Sequence, residues 1–411
     1  MTQKNLEKTV KIRKEAFVKK NTPTHPIPPE EEFLRRLKNV RKQMEKRSFD
    51  ALIIYSWSGS LHFGQRGHVM YMSNYETYFG DTMMVLPQEA KYDALLSTSS
   101  GFQPIDCTWI EEIEHSRNHV DTARKYLRRV GLKKPKIGIV GEYSMSPALY
   151  ACFQKESAFS QVEPASDIIE NERIVKSDWE LQCIREASRI AKKGIEAAAR
   201  FTRPGILDLE ITSEIERVCR LAGSEFFPHY TMVSSGPDSK YHSWWWKCGQ
   251  RRLQQGDIFL LDFGTMYAGY CCDISRPFIV GQPSQTQKDA FEVLKQAQEA
   301  GRKAAREGAL ASDVDKAVRR IYRENWPEEK DWGLGHGVGL EVHEWPFIGY
   351  HNITHDNAYR DTRLSANTVI SLEPTIGIPN VGDFQLEDEF VVTKTGAERL
   401  NDIPQEIIMC R

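Results

Sequence analysis

The chain has 411 residues, of which 40% are hydrophobic and 27% are charged. That composition excludes a disordered, collagen-like or membrane-embedded protein, and the length suits two globular domains. The 55 basic and 57 acidic residues leave a net charge of −2, so no overall positive field favours a nucleic-acid partner. Residues 1–50 carry +7 and the remainder carries −9, and this acidic excess calls for an explanation.

No segment approaches the roughly 20 apolar residues that cross a bilayer, and residues 1–20 are basic and polar without an apolar signal core. We therefore expect a cytoplasmic protein with no membrane partner. The eight cysteines form no CxxC pair, so we interpret them as reduced packing residues rather than as disulfides or zinc ligands.

The predicted elements begin after a charged, proline-punctuated segment, residues 1–30, which we interpret as an N-terminal arm. Apolar residues at helical spacing then lead to strand-like runs at 51–55, 83–86 and 137–140, with helical stretches between them. This alternation predicts an α/β domain over residues 31–170.

A second domain, residues 175–411, is predicted to begin with a long helix. The string Ser177–Glu180 has the form of a helix-capping box, and a similar signature returns at Ser284–Gln287. The segments after the two signatures align at an offset of 103 residues, so that Gly205 is matched by Gly308. The alignment predicts that this domain is internally duplicated.

Strand-like segments with similar polar residues follow each predicted helical pair. The first half carries His242, Asp262 and Asp273, and the second carries His343, Glu373 and Glu387. A duplicated unit that brings both sets into one cleft predicts a symmetric site at the junction of the halves.

Asp262 and Asp273 lie on two predicted strands joined by a turn near Ala268 and Gly269. In such a hairpin, position 262 pairs with a residue near 273 or 275, so the two carboxylates are direct or diagonal neighbours on one face. Burial of an unpaired charge costs several kcal/mol. A cation between the aspartates is therefore favoured over two structural acids.

Three further residues complete a candidate ligand set. His336 lies in the glycine-flanked string LGHGVGL, and Glu373 and Glu387 interrupt apolar runs. Each of them alone also fits a structural role. Together with the aspartates, however, four carboxylates balance two divalent ions, and the donors suit Mn²⁺, Fe²⁺, Co²⁺ or Zn²⁺. The set predicts a two-metal site that activates a water molecule as nucleophile.

The order of these five residues resembles that in the pita-bread metallopeptidases, which include aminopeptidase P, prolidase, methionine aminopeptidase and creatinase. The resemblance rests on the strings LDFG, GYCCDISR, GHGVGLEVHE, SLEP and LEDEF, and it covers the chain. It implies an α/β (α+β) protein with a creatinase-like N-terminal domain and an internally duplicated pita-bread catalytic domain. It also implies two divalent metal ions, manganese among them, and a homodimer.

The resemblance assigns roles to individual residues. Asp262 and Glu387 are expected to contact both ions or nearly so, and Glu373 to shuttle a proton as well as to bind metal. His242 and His343 match the family histidines that flank the metals and stabilise the carbonyl oxygen and the leaving group. The implied reaction is attack of a bridging hydroxide on an amide or imide carbonyl of a small substrate, preferably an Xaa-Pro peptide.

At two positions, the residue of this chain differs from the one usual in the proline-directed peptidases. Gln385 stands where an arginine usually precedes the last glutamate, and Gly377 stands where a tyrosine usually follows the earlier one. We therefore expect the metal-binding acids to be supported differently in this chain.

Several tryptophans close in sequence to the candidate histidines are compatible with a second kind of substrate, a cationic one. Trp244 and Trp246 flank Trp245, and Trp345 follows the His343-Glu344 pair. Packing alone explains such a run equally well, but tryptophans that line a cleft suit a cationic substrate. We therefore name Trp244, Trp246 and Trp345 as candidates for substrate binding.

The chain also resembles the dimethylsulfoniopropionate lyase of the same superfamily at SSGP, CDISR, HGVGL and EWP. The lyase pattern has an aspartate and a tyrosine where this chain has Gly264 and Asp331, and this chain retains His343, so hydrolysis ranks above elimination. A creatinase-like reaction on creatine without metal, and a non-catalytic binding protein, rank lower because all five ligands are present.

Overall fold

The computed structural model describes most of the chain. The described residues are 26–58, 67–77, 79–89, 91, 94–99, 108–237, 239, 249, 251–327, 334–349 and 360–411. The chain divides into two compact units, Met1–Arg173 and Ile174–Arg411. Most of the predicted arm lies outside the described residues. Within those residues, no helix is long and apolar enough to cross a membrane.

The first unit is built on a mixed sheet. Its elements are α1 (Glu30–Lys46), β1 (Ala51–Trp57), α2 (Gly67–Ser73), β2 (Asp81–Pro87), β3 (Leu95–Thr98), β4 (Glu112–His115), α3 (His119–Arg129), β5 (Lys136–Val140), α4 (Pro147–Lys155), β6 (Gln161–Pro164) and α5 (Ser166–Ile174). Six strands lie in the order β4-β3-β2-β1-β5-β6. The three apolar runs predicted as strands fall in β1, β2 and β5, and β1 is buried along nearly its whole length, as a central strand must be.

The second unit consists of two halves, and each half has two helices followed by strands. The first half contains α6 (Asp178–Phe201), α7 (Asp208–Leu221), β7 (Met232–Ser235), β8 (Ile258–Phe263), β9 (Met266–Tyr267), β10 (Tyr270–Cys271) and β11 (Ile274–Val280). The second half contains α8 (Gln285–Ala304), α9 (Ala311–Asn325), β12 (Gly335–Gly337), β13 (Glu344–Ile348), β14 (Val369–Leu372), β15 (Thr375–Ile378), β16 (Gly382–Gln385), β17 (Asp388–Val392), β18 (Ala397–Arg399) and β19 (Ile408–Cys410). The larger sheets have the strand orders β19-β11-β8-β7 and β13-β12-β14-β17-β18.

The structure confirms the internal duplication. Capping boxes start both α6 and α8, at Ser177 and Ser284. The connections from α6 to α7 and from α8 to α9 also match in detail, because Gly205 and Gly308 both have positive φ, 89° and 84°. Each of these glycines donates its N–H to a leucine carbonyl, at 2.7 Å and 2.8 Å. Equivalent backbone contacts at equivalent positions are not expected from two unrelated amphipathic helices.

Each half has its own apolar core, and the two halves are tied together. Helix α6 packs with β8 and β11 in the first core, and α8 and α9 pack with β14 and β17 in the second. Strand β19, the last strand of the second half, pairs in parallel with β11 of the first. Ser275 of β11 also forms an isolated bridge with Glu387. Asp273 and the other predicted metal ligands lie beside this bridge.

Candidate metal centre

A hairpin of the first half carries both aspartates. Strands β8 and β11 are antiparallel and place Asp262 opposite Ser275, while the chain reverses at Ala268 and Gly269, which have positive φ values of 53° and 77°. Asp273 immediately precedes β11 and is therefore a diagonal neighbour of Asp262, as the turn predicts. Both carboxylates are buried.

The second half supplies the remaining predicted ligands from three neighbouring strands. His336 lies in β12 opposite Ser371 of β14, Glu373 directly follows β14, and Glu387 directly precedes β17. Strand β14 lies between β12 and β17, so these side chains share one end of the sheet. Ser371 Oγ donates a hydrogen bond to Glu387 Oε1 at 2.7 Å, which fixes the orientation of that carboxylate.

His336 lies at the point where the two sets meet. Its Nε2 atom is within 4.0 Å of three carboxylates: 3.6 Å from Asp273 Oδ2, 3.7 Å from Glu373 Oε1 and 4.0 Å from Glu387 Oε1. The histidine is fully buried, and burial lowers its pKa despite the opposing charge of Asp273. A neutral imidazole surrounded by carboxylate oxygens is the form that binds a metal ion.

Burial and mutual repulsion oppose ionisation of two of these acids. Burial, followed by the charge of Asp273, raises the pKa of Asp262 to about 7. Burial and the charges of Asp273 and Asp262 raise the pKa of Glu387 well above its usual range. The buried Asp262 Oδ1 accepts no hydrogen bond within the described residues. A divalent cation would relieve this concentration of buried negative charge.

Sequence reasoning misses one histidine of the cluster, His229. It precedes β7 and is buried, and its Nε2 lies 2.9 Å from Asp273 Oδ1 and 3.9 Å from Asp262 Oδ1. Burial lowers the pKa of His229, but the nearby aspartates outweigh burial and raise it to about 9. Its local string contains no metal motif. The position of His229 near the aspartates could be found only from the pairing of β7 with β8, which sets Met232 opposite Asp262.

At position 385 an amide, and not an arginine, contacts the carboxylates of the predicted metal ligands, as the departures from the family predict. The Gln385 side-chain amide lies 3.3 Å from Asp262 Oδ2 and 3.4 Å from Glu387 Oε2. Glu389 Oε1 accepts a hydrogen bond from the Asp273 backbone N–H at 2.7 Å, and burial raises the pKa of Glu389 well above its usual range. A neutral amide and a buried acid thus orient the cluster without adding positive charge.

His343 borders the cluster and is partly exposed. Its ring centroid lies 4.1 Å from that of His336. Lys176 Nζ donates to Glu344 Oε1 at 2.8 Å, and this buried ion pair anchors the residue that follows His343. Three other predicted site residues lie outside the described residues: His242, Trp244 and Trp246.

Comparison with known proteins identifies the family to which the chain belongs. Residues 182–394, more than half of the chain, match metallopeptidase family M24. The chain belongs to this family. It is therefore a metal-dependent peptidase, and the predictions of a pita-bread fold and of metallohydrolase activity are confirmed. The family implies divalent metal ions, and the buried carboxylates with His336 fit them.

Relatives of this M24 peptidase match it along both units. An Xaa-Pro dipeptidase of Pyrococcus horikoshii is 28% identical over 385 residues, which cover 91% of this chain and 98% of that protein. An X-Pro aminopeptidase structure from Thermotoga maritima matches with a TM-score of 0.78 and 25% identity, over 91% of this chain and 99% of that one. A prolidase structure from Pyrococcus horikoshii has a TM-score of 0.76 and 27% identity, with the same coverage.

A fully buried arginine, Arg276, links the two segments that carry Asp273 and Glu387. Arg276 Nη2 pairs with Asp388 Oδ1 at 2.6 Å, and neither side chain is exposed. Arg276 Nη1 donates to the backbone carbonyls of Ser275 at 2.8 Å and Glu387 at 2.7 Å. The guanidinium thereby joins the strand that follows Asp273 to the glutamate segment of the second half.

Replacing Arg276 with methionine is expected to lower the free energy of unfolding by about 3–5 kcal/mol, because Asp388 would stay buried without its cation. Denaturant unfolding followed by circular dichroism measures the loss. As a control, Arg189→Met removes an exposed ion pair with Glu186 and should change stability by less than about 1 kcal/mol. Equal effects of the two substitutions would contradict a structural role for the buried pair.

Proposed function

We propose that this M24 peptidase is a dinuclear Xaa-Pro peptidase of the prolidase or aminopeptidase P type. The observation that carries the proposal is the convergence of four buried carboxylates and His336 from both halves of the second unit. Four negative charges balance two divalent ions. Similarity to an Xaa-Pro dipeptidase over 98% of its length supports an imide bond as the target.

The geometry supports a division of the ligands between two ions. Three donors form one group: His336, Glu373 and Glu387. Asp262 lies in another group with Asp273, while Asp273 also forms a group with His336. Asp273 would therefore help to hold both ions, whereas the family resemblance pointed to Asp262 and Glu387. Manganese, iron, cobalt and zinc all suit these donors.

Bound divalent ions would lower the pKa of a water molecule, so that it is nucleophilic at neutral pH, and would polarise the scissile carbonyl. Glu373 faces His336 at 3.7 Å, and we assign it as the base that takes the water proton and returns it to the leaving nitrogen. His343, at the open side of the cluster, would donate a hydrogen bond to the carbonyl oxygen as negative charge develops. His242 keeps its predicted role as the second such donor.

Two observations favour hydrolysis over elimination of an onium substrate. A Cβ atom at Gly264 would lie 2.1 Å from the Cys272 carbonyl oxygen, so the additional aspartate of the lyase pattern does not fit here. The guanidinium of Arg360 lies over the Trp345 ring, 4.4 Å from its centroid. Because the chain supplies its own cation to this ring, Trp345 is less suited to attract a cationic substrate.

The test is one substrate panel on enzyme loaded separately with manganese, cobalt, iron or zinc. The substrates are Ala-Pro, a longer Xaa-Pro peptide, Ala-Ala, creatine and dimethylsulfoniopropionate, and His336→Ala is the control variant. Release of proline from Ala-Pro, or of the first residue from the longer peptide, is expected. Release of dimethyl sulfide without peptide cleavage would overturn the proposal. The homodimer and the cytoplasmic location are further proposals, for sedimentation analysis and cell fractionation to check.

A further inference from the structure

His229 occupies a position that the fold determines closely. It lies between α7 and β7, only 4% exposed. The antiparallel register sets Met232 opposite Asp262, so the three residues before Met232 run past the carboxyl end of β8, where the aspartates lie.

Close packing beneath His229 restrains it further. A Cβ atom at Gly264 would lie 2.6 Å from Pro228 Cγ. Only a glycine therefore lets the Pro228–His229 segment approach the strand this closely. This packing holds the backbone next to His229 close to the end of β8.

The atoms around His229 have the spacing of a ligand group. Metal bonds to imidazole nitrogen and carboxylate oxygen are about 2.0–2.2 Å long, so neighbouring ligand atoms on one ion lie about 3.0–3.5 Å apart. His229 Nε2 is 2.9 Å from Asp273 Oδ1 and 3.9 Å from Asp262 Oδ1. Small side-chain shifts bring both distances to these values.

Asp273 separates two imidazoles. Its Oδ1 atom faces His229, whereas its Oδ2 atom lies 3.6 Å from His336 Nε2. A carboxylate shared by two ions would therefore have one histidine on each side.

We propose that His229 is a further protein ligand, bound through Nε2 to the ion that Asp262 and Asp273 hold, with the ion displacing the proton that the two aspartates favour in its absence. This inference rests on the proposed two-ion site. With His336 on the other ion, each ion would have an imidazole ligand. Imidazole favours zinc, cobalt or iron, whereas a site with carboxylates alone favours manganese, so His229 would shift the metal preference of the second ion.

Glutamine and alanine variants separate a ligand from a hydrogen-bond donor. The amide of His229→Gln keeps a donor for Asp273 but binds transition metals poorly, and His229→Ala removes both functions. If His229 is a ligand, both variants bind the second cobalt or zinc ion at least about 100-fold more weakly, because loss of a supporting group alone costs about 10- to 100-fold. Both should also lose preference for zinc over manganese. Titration calorimetry and metal analysis measure these changes, and His115→Gln is the control.

Wild-type binding of two ions by His229→Gln, with an unchanged visible spectrum of the cobalt form, would overturn the inference. X-ray absorption of the zinc form supplies a measurement that does not depend on folding of a variant. Ligation by His336 and His229 predicts an average of at least about one imidazole per ion, and a value of about one half overturns it. If the wild-type protein binds no stoichiometric metal, that result would instead contradict the proposed function itself.

Discussion

Replacement of His336 by alanine is expected to abolish peptidase activity through loss of metal. The imidazole is fully buried and lies within 4.0 Å of three carboxylates that depend on it to complete the ligand set. Removal of a group that merely supports a ligand already costs about 10- to 100-fold in metal affinity. Loss of the ligand itself should therefore weaken binding of its ion by more than about 100-fold.

Metal analysis after dialysis and the rate of Ala-Pro cleavage should be measured on the same His336→Ala preparation. His115→Ala is a suitable control, because His115 is exposed in the first unit and its loss should change neither quantity. Full activity in a metal-free His336→Ala enzyme would refute the assignment of the site.

Replacement of His343 by alanine is expected to lower kcat while the metal stays bound. Its ring centroid lies 4.1 Å from that of His336, yet the side chain is partly exposed, which suits a group that meets the substrate. Loss of one donor to a developing oxyanion typically costs about 10²- to 10³-fold in kcat. Steady-state kinetics with Ala-Pro, combined with metal analysis, measures both quantities.

The outcome for His343→Ala distinguishes three roles. A lower kcat with full metal content supports a donor to the carbonyl oxygen, and His343→Gln should then recover part of the rate because its amide can still donate. Loss of an ion would identify His343 as a ligand, since it forms a group with Asp273 and His336. Wild-type values for both quantities would leave the histidine a structural role only.

Local sequence information was sufficient for the hairpin and the duplication. The turn at Ala268 and Gly269 fixes the register, and the register fixes which residues share a face, so the proximity of Asp262 and Asp273 follows from short-range rules. The capping boxes at Ser177 and Ser284 mark helix starts that depend only on neighbouring residues.

Contacts made by distant segments could not be obtained in this way. His229 reaches the aspartates because β7 pairs with β8, and Gly264 admits Pro228 at close range. Neither fact leaves a periodic pattern in the sequence. The sequence shows a glutamine at position 385, but only the structure shows its amide close to both Asp262 and Glu387. The candidate ligands were thus easier to predict than the residues that orient them.

The ties between the two halves also bear on how substrate enters. Strand β19 belongs to the sheet of the first half, Ser275 bridges to Glu387, and Arg276 bonds both segments. Such cross-connections prevent the halves from swinging apart as the lobes of a hinged clamp do. We therefore expect a preformed centre, which a peptide would enter past the partly exposed His343 without a large movement of the halves.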